Sequence, residues 1–248
     1  MNRCMVLPLL LAFMAGAHRP DDAVAQAPAT QGAVDAQLQR QLEEIDRRAG
    51  QIIDLTADFV QLKHTALLKK PLESRGRLRI RGAAMRWDTA EPSPGVMVVD
   101  DRELRLYSPR QRLLEIYPMQ RGLGQIAASP LPRLAIVRDH FDIAGCDWPG
   151  LDEQSRATRV ALKLTPRENS LARHVQEVRV LLDATTGCAS AVRLLDPDGD
   201  ELEITFRNIR TNTGVREDEV RFEPPAGTTV SRPLEADSPA SRSAEGAP

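Results

Sequence analysis

From Leu55 to Ile209 the chain repeats one local pattern, short runs in which apolar and polar side chains alternate, separated by clusters of turn residues. Successive strand side chains point to opposite faces, so each such run reads as a β-strand with one face to bury. Leu55, Ala57, Phe59 and Gln61 alternate in this way with Thr56, Asp58, Val60 and Leu62. Residues 73–81, 84–88, 95–99, 103–107 and 113–118 continue the series, broken by Glu91-Pro92-Ser93-Pro94, Asp100-Asp101 and Ser108-Pro109-Arg110. The pattern resumes over 141–144, 157–165, 175–183, 191–196 and 202–209, with turn signals at Asn169-Ser170, Thr186-Gly187 and Asp196-Pro197-Asp198-Gly199. Short strands joined by tight turns predict one large antiparallel sheet.

Such a sheet leaves one face to be covered, and the chain offers few helices to do it. Leu38, Leu42, Ile45, Ala49, Ile52 and Ile53 recur at helical spacing, opposite Gln39, Arg40, Glu43, Glu44, Arg47 and Arg48. Residues 122–139 carry Ile126, Leu131, Leu134, Ile136 and Val137, punctuated by Pro130 and Pro132, a pattern of one or two short helices. The expected architecture is mainly β with helices, a sheet that curls around these segments and is plugged by them on its concave side. Residues 220–230, with Pro224 and Pro225, read as a final edge segment.

The ends of the chain are of another kind. Asn2 and Arg3 precede an apolar run from Cys4 to Ala17, and His18, Arg19, Pro20, Asp21 and Asp22 end it well short of the roughly 20 apolar residues a membrane-spanning helix needs. This reads as an export signal over residues 1–25, with Ala23-Val24-Ala25 as a small-x-small cleavage site and Ala15-Gly16-Ala17 as its competitor. A flexible leader follows over 26–37, a single domain over 38–230, and a Ser/Ala/Pro/Glu-rich tail over 231–248 that should be disordered. The expected compartment is the periplasm. There Cys146 and Cys188, the cysteines left after processing, can join as a disulfide; the alternative is two buried thiols.

Composition removes several functions. Aromatic residues are 4% of the chain against 42% hydrophobic, so Leu, Ile and Val fill the interior and no aromatic platform for sugars or bases is expected. A net charge of -2 gives no electrostatic case for nucleic acid. No phosphate loop, dinucleotide fingerprint, HExxH or GxSxG occurs, and no cofactor or metal is implied. His64, His140 and His174 are scattered among separate elements, and Asp100-Asp101 suits a turn better than a catalytic pair, because adjacent strand residues face opposite ways. The chain is not expected to be an enzyme. A curved aliphatic surface under a helical cover suits apolar ligands.

The order of segments resembles the periplasmic outer-membrane lipoprotein carrier family, the LolA-like proteins. The matching features are the opening helix followed by Leu55-Thr56-Ala57-Asp58-Phe59-Val60-Gln61, then Gly76-Arg77-Leu78-Arg79-Ile80-Arg81 leading to Met85-Arg86-Trp87-Asp88, and Pro92. They continue through Val99-Asp100-Asp101-Arg102-Glu103-Leu104-Arg105-Leu106-Tyr107-Ser108-Pro109 and close at Phe222-Glu223-Pro224-Pro225-Ala226-Gly227-Thr228-Thr229-Val230. The resemblance implies a strongly curved, incompletely closed antiparallel β-barrel covered by a long N-terminal helix and short central helices. It implies a monomer that shields the acyl chains of a lipoprotein or other acylated cargo, taking it from an inner-membrane release complex to an outer-membrane receptor. Phe59, Leu78, Ile80, Met85, Trp87, Val98, Leu104, Leu106, Ile116, Ile126, Leu134 and Ile136 would line or lid the acyl site, and Arg81 would either hold the lid through hydrogen bonds to carbonyls or be a solvated turn arginine. Each apolar member is equally explained by ordinary packing.

Two departures stand out. The family's Lys-Arg-Pro element is shortened to Arg81-Gly82-Ala83, and Lys69-Lys70-Pro71-Leu72 resembles a divergent subgroup found alongside polyene-pigment and glycolipid export genes. The alternative to a carrier is a non-catalytic periplasmic scaffold or sensor domain with a solidly packed face that binds a protein partner.

Overall fold

The computed structural model describes residues 36–118 and 129–233. Helix α1 (Ala36–Ala49) is followed by β1 (Asp54–His64), β2 (Leu72–Arg81), β3 (Ala84–Glu91), β4 (Gly95–Val99), β5 (Glu103–Ser108) and β6 (Leu113–Pro118). Then come α2 (Leu134–His140), β7 (Phe141–Gly145), α3 (Glu153–Arg156), β8 (Arg159–Pro166), α4 (Asn169–Ala172) and β9 (Glu177–Asp183). The chain continues with β10 (Cys188–Leu195), β11 (Glu201–Thr211), a 3-10 turn (Glu217–Val220) and β12 (Thr229–Ser231).

The strands form one sheet in the order β12-β6-β5-β4-β3-β2-β1-β11-β10-β9-β8-β7. The expected strongly curved, incompletely closed antiparallel barrel is not what forms. The sheet is open and not strongly curved, its ladder ending at β12 on one side and β7 on the other. It is also mixed, because β12 runs parallel to β6 from Thr229 to Ser231. Closing a sheet requires its terminal strands to pair. Here those strands have only three and five residues, and among the described residues each is bonded on one side alone.

The helical cover is shorter than expected. α1 has 14 residues and stops at Ala49, short of the Ile52 and Ile53 that continue its spacing. Gly50, a poor helix former, follows it, and Ile53 is left 66% exposed. Within α1, Leu42 and Ile45 are buried, while Glu44 on the other face pairs with Arg47 and Arg48 at 2.7 and 2.6 Å. The helix end rests on the β9–β10 turn. Arg48 Nη1 donates to the Thr185 carbonyl at 2.7 Å, and Gly187 permits the approach, because a Cβ there would lie 2.8 Å from the Ala49 nitrogen.

Cys146 and Cys188 are free thiols, and the expected disulfide is absent. Cys146 N donates to the Ala161 carbonyl on β8, while Cys188 opens β10. Three strand spacings, roughly 14 Å, separate them, well beyond the ~7 Å Cα limit for a bridge.

Candidate functional site

Cross-strand register sorts the residues into two faces. On the inward face Leu55, Ile80, Met85, Val99, Leu104 and Tyr117 form one row, and Ala57, Leu78, Trp87, Met97 and Leu106 form the next. These side chains belong to one continuous buried cluster that also takes in Phe59 and Phe206, Leu42 and Ile45 of α1, Leu134 and Val137 of α2, and Leu162, Leu182 and Val192 beyond. Phe59 packs against Trp87 with ring centroids 4.2 Å apart and planes inclined at 50°, and Phe206 meets Trp87 edge-on at 6.0 Å. This packing depends on Gly76, opposite Phe59, where a Cβ would sit 2.7 Å from the Phe59 ring.

Of the residues expected from the sequence, Phe59, Leu78, Ile80, Met85, Trp87, Leu104, Leu106 and Leu134 are brought together on this face. Val98 and Ile116 are not. Arg86 pairs with Val98, Val98 with Arg105, and Arg105 with Ile116, so both lie on the opposite, arginine-bearing face. Ile116 there joins Tyr107 and Leu114 in a small cluster against Phe222. On α2 it is Val137, not Ile136, that packs inward with Leu134. Ile126 lies outside the described residues.

Arg81 Nη1 donates to the Val215 carbonyl at 2.6 Å, in the loop after β11. The bond from the β2–β3 turn to the α2 segment runs the other way, from Arg133 Nη2 to the Gly82 carbonyl at 3.1 Å. Beneath α2 a cavity of about 20 Å³ remains, lined by Leu131, Leu134, Val137, Leu162, Leu182 and Val192 among others. That is space for about one water, so this cavity among the described residues is too small for an acyl chain.

Beside that small apolar cluster the opposite face is polar. Arg79 and Arg86 converge on Asp88, with Arg79 Nη1 2.6 Å from Oδ2 and Arg86 Nε 2.9 Å from Oδ1. Two open clefts of about 540 and 640 Å³ flank the 3-10 turn there, each lined by both arginine and acidic side chains. Asp100 Oδ1 accepts from the backbone N–H groups of Arg102 and Glu103, both at 2.9 Å, the turn role its position suggested.

Sequence reasoning passed over one set of residues. The inward row of β1 runs from Leu55 through Ala57 and Phe59 into Gln61 and Lys63, which are also buried. Ser74, opposite Gln61, is buried too. The strand alternation already placed Gln61 on the inward face, and a polar residue there was the available signal.

The described residues thus form an open sheet with one apolar, helix-covered face. Among the described residues no group of His, Cys, Asp and Glu is arranged to hold a metal ion. The profile of the family described as outer membrane lipoprotein carrier protein LolA matches residues 51–223, so the chain belongs to that family. It is therefore a periplasmic protein with a carrier role, not an enzyme.

An outer-membrane lipoprotein carrier protein of Dechloromonas aromatica (strain RCB) is 24% identical over 183 residues, covering 71% of this chain and 80% of that protein. Among solved structures, an uncharacterized conserved protein from Thermus thermophilus is similar with a TM-score of 0.48 and 13% identity, over 79% of this chain and 99% of that one. A LolA superfamily protein from Nitrosomonas europaea has a TM-score of 0.39 and 10% identity, over 74% and 97%. The Pseudomonas aeruginosa MucA/MucB complex gives 0.41 and 16%, over 76% and 62%.

Proposed function

We propose that the helix-covered face takes up the acyl chains of a lipoprotein or other lipid-linked cargo, within a carrier domain spanning residues 38–230. In this reading an inner-membrane release complex loads the protein and an outer-membrane receptor unloads it. The observation that carries it is the continuous apolar surface from Leu104 through Trp87 and Phe59 to Leu162, topped by a seven-residue helix. Apolar area is worth about 25 cal/mol per Å², so a bare acyl chain is costly in water and gains from any face that covers it. In this reading α2 moves aside to widen the small cavity beneath it as a chain enters. Hand-over needs a receptor whose apolar site binds better than this one, since transfer follows differential affinity.

Trp87 supplies the test. The chain has two tryptophans, Trp87 on the covered face and Trp148 on the other, where Arg193 lies 4.9 Å from its ring. In a Trp148→Phe background, a fatty acid brominated along its chain should quench Trp87 emission saturably. Absence of quenching at concentrations that load other lipid carriers would point to the scaffold alternative.

A further inference from the structure

One corner of the covered face is polar and unsatisfied. Gln61 and Ser74 are directly opposed on β1 and β2 and are 5% and 2% exposed. Gln61 Nε2 and Ser74 Oγ are fully buried and have no hydrogen-bond partner among the described residues, and the same holds for Nε1 of Trp87, which packs on Phe59 two residues before Gln61. A buried donor left unpaired is destabilising and rare, so three on one face form an unusual concentration of unmet hydrogen bonding. Lys63, one step further along the same face, has its own partner in Asp200 at 3.4 Å.

The position of this corner gives it a use. Gln61 pairs with Ile204, Ile204 with Val192, Val192 with Val180, and Val180 with Leu162. A single cross-strand row therefore runs from Ser74 and Gln61 to the small cavity under α2, whose lining includes Val192, Val180 and Leu162. Five strand spacings make it about 24 Å long, polar at one end and aliphatic over the rest. An acylated ligand has the same layout, with oxygen acceptors where the chain joins the headgroup and hydrocarbon beyond.

Building on the acyl-carrier reading, we infer that Gln61 and Ser74 donate hydrogen bonds to the ester or amide carbonyls of the cargo while its chains follow the row toward α2. The donors then gain partners only when cargo is bound. The corner thus selects for acyl linkages over plain hydrocarbon, because a site built to hydrogen-bond a group rejects analogues that lack it.

The test compares two phospholipids with identical headgroups and chain lengths, one diester and one diether, binding to the full-length mature protein by titration calorimetry. Two hydrogen bonds of ordinary net strength predict a diester preference of roughly thirtyfold, within a range of about 5- to 150-fold. The doubly substituted Gln61→Leu/Ser74→Ala protein should bind both lipids with equal affinity, near the wild-type diether value, and should unfold no earlier than wild type. Equal affinity of the wild type for both lipids, or a preference that survives the double substitution, would overturn the subsite and leave the acyl-carrier reading standing. Failure of the wild type to bind either lipid would remove both. Ser74→Ala alone, a minimal truncation, keeps the comparison decisive if the double variant does not fold.

Discussion

Replacing Leu134 with Ala asks whether α2 is a movable cover or part of the permanent core. Leu134 is 1% exposed and packs against the 20 Å³ cavity with Leu162 and Leu182. Leu→Ala in a core costs about 2–5 kcal/mol, rising with the void left behind. A seven-residue helix can settle into part of that void, which puts the cost near the lower end, about 2–3 kcal/mol. If α2 opens independently of the sheet, this loss raises its open-to-closed ratio by roughly 30- to 150-fold. Stopped-flow uptake of a fluorescent fatty acid should then accelerate by an order of magnitude or more. Amide exchange should speed up over Leu134–His140 and change little in β1 and β11. A movable α2 is refuted if exchange accelerates equally throughout the sheet, the melting point falls by the full ~5–10 °C such a loss implies for a domain this size, and uptake is unchanged.

Other consequences are as direct. Gly76→Ala would put a methyl group 2.0 Å from the Asp88 carbonyl oxygen and 2.7 Å from the Phe59 ring, so it should destabilise by about 1–3 kcal/mol or more and disturb the Trp87 emission; an unchanged urea midpoint would argue against that packing. For Asp54, burial raises the carboxyl pKa, but hydrogen bonds from the Thr213, Val215 and Gly214 backbones outweigh it and the net shift is downward. A lowered folded pKa gives stability that is present above the unfolded value near 4 and is lost as pH falls through the folded one. Asp54→Asn should therefore cost about 1–3 kcal/mol at pH 7 and progressively less as pH falls below the unfolded value, measured by urea unfolding; a loss that does not change with pH would contradict it. Burial pushes the Cys188 thiol up to about 11, so a thiol reagent at pH 8 should label half-buried Cys146 in the native protein and Cys188 only after denaturation, and non-reducing mass analysis should find no Cys146–Cys188 bridge.

Strand positions were legible because period two and turn chemistry act locally. Leu104 and Leu106 alternate with Glu103 and Arg105, and the structure places them as that pattern requires. β4, by contrast, reads Gly-Val-Met-Val-Val, and with no polar residue in it the pattern cannot choose a face. Only pairing with Arg86 and Arg105 puts Val98 outward. Ile116 was misplaced for the opposite reason, because Phe222 comes from a distant segment to cover an apolar outer patch. Openness of the sheet and the separation of Cys146 from Cys188 both depend on strand order, which no short window encodes. The Gln61–Ser74 pair joins two strands whose partnership is local, so half of it was readable in advance.

Whether the covered face holds acyl chains is tested most directly by native mass spectrometry of the protein purified gently from the periplasm, with organic extraction of whatever it carries. The expected result is a bound acylated molecule that is lost on extraction and is reduced in a Leu106→Glu protein that still folds. A uniformly ligand-free protein that also takes up no fatty acid would contradict the acyl-carrier reading.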